Sequence, residues 1–159
     1  MNSKLDPMGR AIADYWKTKK ADRLRVFSPM FEEDEIPLTT LFRKYKAMPE
    51  IERKALDMAT GKTLDVGAGS GCHSLVLQEK GIDVTAIDIS PLSVQTMKER
   101  GVKSFQMQYK DTIGEPFDWL YIDADTLKEN AAKNGYIAEI VAEGEHYDYL
   151  ARITKMSER

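Results

Sequence analysis

The first sixty residues carry apolar side chains mainly at helical spacing. Asp6 followed by Pro7 is a typical helix start, and Ile12, Tyr15 and Trp16 then fall on one face of the predicted helix. We predict two more helices in this block, each opened by a proline, and an exposed loop where acidic residues cluster. They are a loop over residues 31–36, a helix from Pro37 through Tyr45, and a helix from Pro49 to Gly61.

After Gly61 the pattern changes to that of an α/β unit. Residues 63–66 and 84–87 are short apolar runs, which are typical of buried parallel strands. Between them residues 70–80 have helical spacing and end at Gly81, a good residue just past a helix end. A second helix with Ser90 as its cap, Pro91 in its first turn and Gly101 at its end should then lead into a third strand at 102–105.

The last third of the chain has the alternation of antiparallel strands. Residues 105–109 and 117–121 alternate aromatic or apolar with polar side chains and predict a hairpin. Asp125 is a candidate cap for a helix that ends at Asn134 and Gly135. Residues 136–143 and 147–153 predict a second hairpin.

Candidate chemistry lies where the first two parallel strands end. Gly67, Gly69 and Gly71 let the backbone turn tightly and approach a ligand. Asp88 ends the second strand, at the edge where open parallel sheets bind ligands, and its carboxylate can accept hydrogen bonds from both ribose hydroxyls. A dinucleotide fingerprint needs glycine or alanine where Cys72 stands, so the spacing disfavours NAD without excluding it.

The residues from Asp65 to Gly71 read D-x-G-x-G-x-G and closely resemble the first motif of the class I S-adenosylmethionine-dependent methyltransferases. The resemblance implies that Asp65 holds the amino end of the methionine moiety and that the loop, with Ala68 in it, passes beneath the cofactor. It implies that Asp88 binds the ribose. The expected cofactor is S-adenosyl-L-methionine, and the expected function is methyl transfer to an unidentified small molecule. An NAD-binding oxidoreductase is the less favoured alternative.

Both flanks of this motif resemble the same family. Residues 41–56 are similar to the helical segment that covers the cofactor in a bacterial subgroup, which implies Arg43 and Tyr45 as cofactor or substrate contacts. Packing of Tyr45 on the domain surface is an equally good explanation. Ile89 completes the implied cofactor-binding set, and residues 127–153 resemble the family's closing helix and final strand pair.

We therefore expect an α/β fold with a mixed Rossmann-like methyltransferase sheet, N-terminal helices and C-terminal antiparallel hairpins. Residues 1–60 would form a helical cap segment and residues 61–159 the cofactor-binding domain, together one compact unit. The family's middle is missing between about residues 103 and 108. Activity is therefore less secure than ancestry, and a non-catalytic protein that keeps only the fold or the cofactor site is the main alternative.

The missing middle includes the strand that should lie beside residues 63–66, which would leave an open apolar edge. The C-terminal hairpin could cover this edge, as could a second copy of the chain or a segment of the natural protein that is absent from this sequence. If the chain is complete, we favour a homodimer. A monomer in light scattering at micromolar concentration would count against that expectation.

Composition permits this interpretation and limits the partners. Of the 159 residues 23 are basic and 26 acidic, so a net charge of -3 offers no general attraction for nucleic acid or anionic membranes. The single cysteine, Cys72, cannot form an internal disulfide, so we expect a cytoplasmic protein without a membrane span. No catalytic base or metal site is assigned. His73 and His146 are better explained by structural or solvated roles, and Asp123 and Asp125 by helix capping.

Overall fold

A computed structural model describes residues 6–20, 22–27, 32–106, 122–145 and 148–156. The chain divides into two compact units. The first is built from Met1–Met48 and Met58–Glu115, and the second from Pro49–Asp57 and Pro116–Arg159.

The first unit begins with helix α1, Pro7–Thr18, at the predicted start. The Asp6 carboxylate accepts a hydrogen bond from Gly9 N at 2.8 Å, as a helix cap does. Strands β1, Leu24–Val26, and β2, Asp34–Ile36, then form an antiparallel hairpin.

The loop predicted over residues 31–36 is therefore wrong for residues 34–36. Acidic residues enter a strand here because basic residues face them across the hairpin. Arg23 contacts Glu35 at 2.5 Å and Arg25 contacts Glu33 at 3.1 Å. Opposite charges across a strand pair stabilise the pairing. The acidic run alone does not predict this strand, because its basic partners lie elsewhere in the sequence.

The helix predicted from Pro37 through Tyr45 is replaced by two short 3-10 helices, Leu38–Phe42 and Tyr45–Ala47. Extended backbone at Arg43 and Lys44, with ψ of 146° and 161°, separates them. Leu38 is buried and fixes the start of the segment.

A three-stranded parallel sheet with two crossover helices confirms the predicted α/β pattern. Its order is β3-β4-β5. The elements are β3, Lys62–Val66; helix α3, Cys72–Glu79; β4, Asp83–Asp88; helix α4, Pro91–Glu99; and β5, Ser104–Gln106. Helix α3 begins two residues later than predicted because Gly71, its cap, has left-handed backbone with φ of 79°.

The core of this unit lies between β4 and α4, where Ala86, Val94, Met97 and Val102 cluster. Ser90 caps α4 as predicted, accepting from Ser93 N at 3.0 Å. These contacts place the end of β4 rigidly beside the start of α4.

Strand β3 is not the buried strand that its apolar run predicts. Leu64 is 58% exposed and Val66 is 70% exposed, whereas Val84 and Ala86 of β4 are almost fully buried. The reason is the face of the sheet to which each side chain points. By register Leu64 and Val66 share a face with Thr85 and Ile87, whereas Val84 and Ala86 lie on the opposite face, where Ala86 packs against α4. Within the described residues no strand pairs with the outer edge of β3.

The second unit contains two helices and one hairpin. The helices are α2, Glu50–Met58, without its last residue, and α5, Ala124–Lys133. The hairpin is the predicted C-terminal one, formed by β6, Tyr136–Glu143, and β7, Tyr149–Lys155. The ladder is irregular between Ile140 and Ala142. Lys54 Nζ donates to the carbonyl of Val141 at this point, at 2.8 Å, so α2 is tied to β6.

Helix α5 is capped by Asp123 and not by Asp125. The Asp123 carboxylate accepts from Asp125 N at 3.1 Å and from Thr126 N at 2.9 Å. The hydroxyl and backbone N–H of Thr126 hold the pKa of Asp123 below its ordinary value. Of the hairpin predicted at 105–121, residues 107–121 lie outside the described residues, and β5 pairs in parallel with β4.

Candidate functional site

The glycine loop, residues 67–71, joins the carboxyl end of β3 to α3. Its three glycines have φ of 71°, 55° and 79°. The N–H groups of Gly67 and Ala68 both donate to Ile87 O, at 3.0 and 3.1 Å, which anchors the loop to the end of β4. Gly71 is the most confined position, because an added Cβ would lie 2.8 Å from Val102 Cγ2 and 3.0 Å from Met97 Cγ.

Asp88 lies directly against this loop. One carboxylate oxygen accepts from Gly69 N at 2.8 Å and the other from Ser90 N at 2.8 Å. Ile89 follows it with 70% of its surface exposed. The structure thus brings the predicted ribose acid and the predicted cofactor loop to one edge of the parallel sheet.

Asp65 is fixed on the other side of the loop. Its carboxylate accepts from Ser74 Oγ at 2.6 Å, and Ser74 is fully buried in α3. This bond ties the end of β3 to the first turns of α3. Two carboxylates therefore flank the glycine loop, and both are among the residues predicted from the sequence.

Tyr45 is placed differently from these residues. Lys80 Nζ lies 4.6 Å from the centre of the Tyr45 ring, and Lys80 is the residue at the far end of α3 from the glycine loop. That contact favours the surface-packing explanation of Tyr45. Arg43 lies in the extended step between the two 3-10 helices, and a contact role for either residue stays a prediction.

Sequence reasoning missed two residues that fix the loop, one within it and one outside it. Ser70 is 2% exposed, and its hydroxyl donates to the carbonyl of Leu41. Arg100 donates to the carbonyl of Ser70 and, at 2.7 Å, to Ser70 Oγ. Burial lowers the pKa of Arg100, although a guanidinium stays charged at neutral pH. In the sequence, Arg100 stands just before Gly101 and indicates only an ordinary helix end, so nothing local predicts its contact with Ser70.

A separate cavity of about 350 Å³ lies between the end of α1, the β1–β2 hairpin and the first 3-10 helix. Tyr15, Lys20 and Ile36 are among its lining residues, and none of the predicted site residues belongs to it. Within the described ranges no group of three or more His, Cys, Asp or Glu side chains could hold a metal. None of the helices in those ranges is long and apolar enough to span a membrane.

Comparison with known proteins identifies the origin of this geometry. A family model described as a methyltransferase domain matches residues 64–141. Glycine N-methyltransferase of Homo sapiens is 30% identical over 80 residues, covering 50% of this chain and 26% of that protein. The Mus musculus protein of the same name is 31% identical over 67 residues, covering 42% and 23%. The chain thus spans about a quarter of the length of these curated relatives.

A solved structure matches much more of the chain. It is a SAM-dependent methyltransferase from Bacteroides fragilis in complex with S-adenosyl-L-homocysteine, with 43% identity and a TM-score of 0.88. The match covers 99% of this chain and 98% of that one, so neither carries a long insertion relative to the other. Identity of this degree along two whole chains shows common family, and the chain belongs to the class I S-adenosylmethionine-dependent methyltransferases.

Proposed function

We propose that this protein binds S-adenosyl-L-methionine at the glycine loop and transfers its methyl group to a small molecule. The contact of the Asp88 carboxylate with Gly69 N carries the proposal, because it joins a ribose-binding acid to the loop that would lie beneath the cofactor. The Bacteroides fragilis relative, solved with S-adenosyl-L-homocysteine, supports the same cofactor.

The charges around the loop favour a cationic sulfonium over a dinucleotide. Asp65 and Asp88 flank the loop, and the loop itself contains no lysine or arginine. The guanidinium of Arg100 contacts the loop at Ser70 but also lies against the Phe42 ring. Asp88 suits the ribose of either cofactor, whereas Asp65 would repel a pyrophosphate beside the loop and would attract a sulfonium with its neighbouring ammonium group. This arrangement supports the proposed set of Asp65, Gly67, Ala68, Gly69, Gly71, Asp88 and Ile89, with Tyr45 as its weakest member.

The proposed reaction is an in-line displacement. A lone pair of the acceptor atom forms a bond to the methyl carbon, and the electrons of the sulfur–methyl bond return to sulfur, which leaves as a neutral thioether. Any proton on the acceptor passes to solvent or to a base. The protein's contribution is alignment of the two reactants and exclusion of water.

A non-catalytic cofactor-binding protein is the second candidate. The observation that favours it is the exposed outer side of β3, since in this family further strands and their substrate-side loops would follow there. A cap segment over residues 1–60 and a cytoplasmic location remain proposals. Cys72 is the single cysteine of the sequence and cannot form a disulfide within the chain, which supports a reducing compartment.

Calorimetry with S-adenosylmethionine, S-adenosylhomocysteine and NAD separates these candidates. We expect both adenosyl ligands to bind and NAD to give no heat. Binding without turnover across a panel of small acceptors would favour the non-catalytic protein. Binding of NAD alone would overturn both.

Replacing Asp88 by alanine should weaken S-adenosylhomocysteine binding by about 1 to 3 kcal/mol, the scale of lost charged hydrogen bonds. Asp83→Ala is the matched control, because Asp83 lies at the opposite end of the same strand and pairs with Lys103 Nζ at 3.0 Å. The control should bind like the wild type. Unchanged affinity in Asp88→Ala, measured by the same titration, would remove Asp88 from the site.

We also infer that a second copy of the chain covers the outer edge of β3. The outer edge of β3 supports this, because no strand of the described residues pairs with it and the exposed Leu64 and Val66 add apolar surface beside it. Light scattering at micromolar concentration should give a dimer. Val66→Lys should give a monomer, since lysine on an edge opposes pairing, while Val26→Lys on the exposed β1 should not. A monomeric wild-type protein would contradict the inference.

A further inference from the structure

Ser70 is held in the glycine loop by segments far away in the sequence. Its hydroxyl donates to the carbonyl of Leu41, in the first 3-10 helix, and its carbonyl accepts from Arg100 at the end of α4. The Arg100 guanidinium also donates to Ser70 Oγ at 2.7 Å. With only 2% of its surface exposed, Ser70 is the point where three segments meet.

The guanidinium of Arg100 also contacts aromatic rings of the N-terminal segment. Its Cζ lies 4.7 Å from the centre of the Phe42 ring and 5.8 Å from that of the Trp16 ring. These two rings are parallel within 2°, with centroids 6.4 Å apart. Trp16 Nε1 donates to Glu99 at 2.9 Å, so the indole is fixed to the same helix end. A planar cation with several donors fits this place, whereas the single ammonium group of lysine cannot satisfy both the rings and Ser70.

Both ends of helix α4 contribute a side chain that holds the loop. Asp88, just before α4, accepts from Gly69 N, and Arg100, just after α4, donates to the Ser70 carbonyl. A loop rich in glycine has many conformations of its own. Asp88 and Arg100, on either side of α4, therefore select one conformation for the Gly69–Ser70 dipeptide of the loop.

We propose that Arg100 is a positioning residue, which keeps the glycine loop in its cofactor-receptive conformation and couples it to the rings of Trp16 and Phe42; this inference rests on the proposed function. Cofactor binding then requires less ordering of the loop, so affinity is higher than for a free loop. The coupling works in both directions, and a bound cofactor stabilises the contacts of Phe42 and Trp16.

The first experiment compares Arg100→Met, Arg100→Lys and the control Lys98→Met, which removes an exposed positive charge from the same end of α4. Circular dichroism first establishes that each variant is folded at the temperature used. S-adenosylhomocysteine affinity should fall about tenfold in Arg100→Met, which corresponds to the loss of one strong hydrogen bond. Arg100→Lys should recover only a minor part of it, and Lys98→Met should match the wild type.

Hydrogen exchange of the loop amides tests the proposal without any ligand. The N–H groups of Gly69 and Gly71 should exchange at least tenfold faster in Arg100→Met than in the wild type, while the amides of β4 keep their protection. Wild-type exchange at both glycines together with wild-type affinity would overturn the proposal. Faster exchange throughout the sheet would overturn it as well, because Arg100 would then be only a stabilising residue.

Tryptophan emission reports the coupling. The chain has two tryptophans, so Trp119→Phe leaves Trp16 as the only indole. Saturating S-adenosylhomocysteine should shift Trp16 emission in this background, and Arg100→Met should abolish the shift. A shift that persists in Arg100→Met contradicts coupling through Arg100. If the wild type binds neither adenosyl ligand, the proposed function fails, and the exchange rates of the free proteins still decide the role of Arg100.

Discussion

Gly71→Ala should lower the free energy of unfolding by about 3 kcal/mol. Left-handed backbone costs an alanine roughly 1 kcal/mol, and Gly71 has φ of 79°. The methyl group would also lie 2.8 Å from Val102 and 3.0 Å from Met97, which are 5% and 0% exposed. Overpacking of a filled core adds about 1 to 3 kcal/mol. Urea unfolding followed by circular dichroism measures the sum.

Gly81→Ala separates the two causes. Gly81 has almost the same backbone, with φ of 78°, but an added Cβ would have no atom within 4 Å. It should therefore lose only about 1 kcal/mol, the cost of the left-handed conformation. Equal losses at both glycines would show that Val102 and Met97 yield to the methyl group without cost.

Gly9→Ala should lower the free energy of unfolding by about 2 kcal/mol, although alanine is favoured over glycine in a helix by about 1 kcal/mol. A Cβ at this position would overlap Ser90 Oγ and the Asp6 carboxylate. Ser90 donates to Asp6 at 2.5 Å, and both are nearly fully buried. Moving them apart removes the caps of α1 and α4, at about 1 kcal/mol each. It also removes the hydrogen bond between Ser90 and Asp6, at about 1 kcal/mol, so the three losses exceed the gain from alanine by about 2 kcal/mol.

Arg10→Ala is the control for an alanine substitution in the same turn, because Arg10 is exposed and arginine and alanine have similar helix propensities. Its effect should stay within about 0.5 kcal/mol. Thermal unfolding of the two variants side by side gives the comparison. A Gly9→Ala variant that melts above the wild type would mean that α1 moves away from α4 freely.

Local signals were sufficient for the elements that hold the two predicted acids. The order of β3, glycine loop, α3 and β4 follows from apolar runs and glycines over fewer than thirty residues, and Asp88 is found because a strand ends there. The α4 cap at Ser90 followed by Pro91 is equally local. The glycine spacing alone left the cofactor open between S-adenosylmethionine and NAD. The resemblance to the methyltransferase family then supplied the roles of Asp65 and Asp88.

Features that depend on distant partners were missed. Strand β2 forms because Arg23 and Arg25 neutralise an acidic run across the hairpin. Ser70 and Arg100 are separated by 30 residues, and neither has a neighbour in sequence that indicates the other. The exposure of Leu64 depends on which face of the sheet is packed by helices, and an apolar run looks the same on either face.

The two backbone bonds of Asp88 decide which side chains this position accepts. Gly69 N donates to one oxygen and Ser90 N to the other. An asparagine has one oxygen, so its NH₂ group would have to face one of these donors. A carboxyl group presents one oxygen to each donor, so the aspartate side chain is matched to the loop before any ligand arrives. Each Asp88 oxygen keeps one further lone pair. A ribose diol would therefore donate to oxygens that already accept the N–H groups of Gly69 and Ser90.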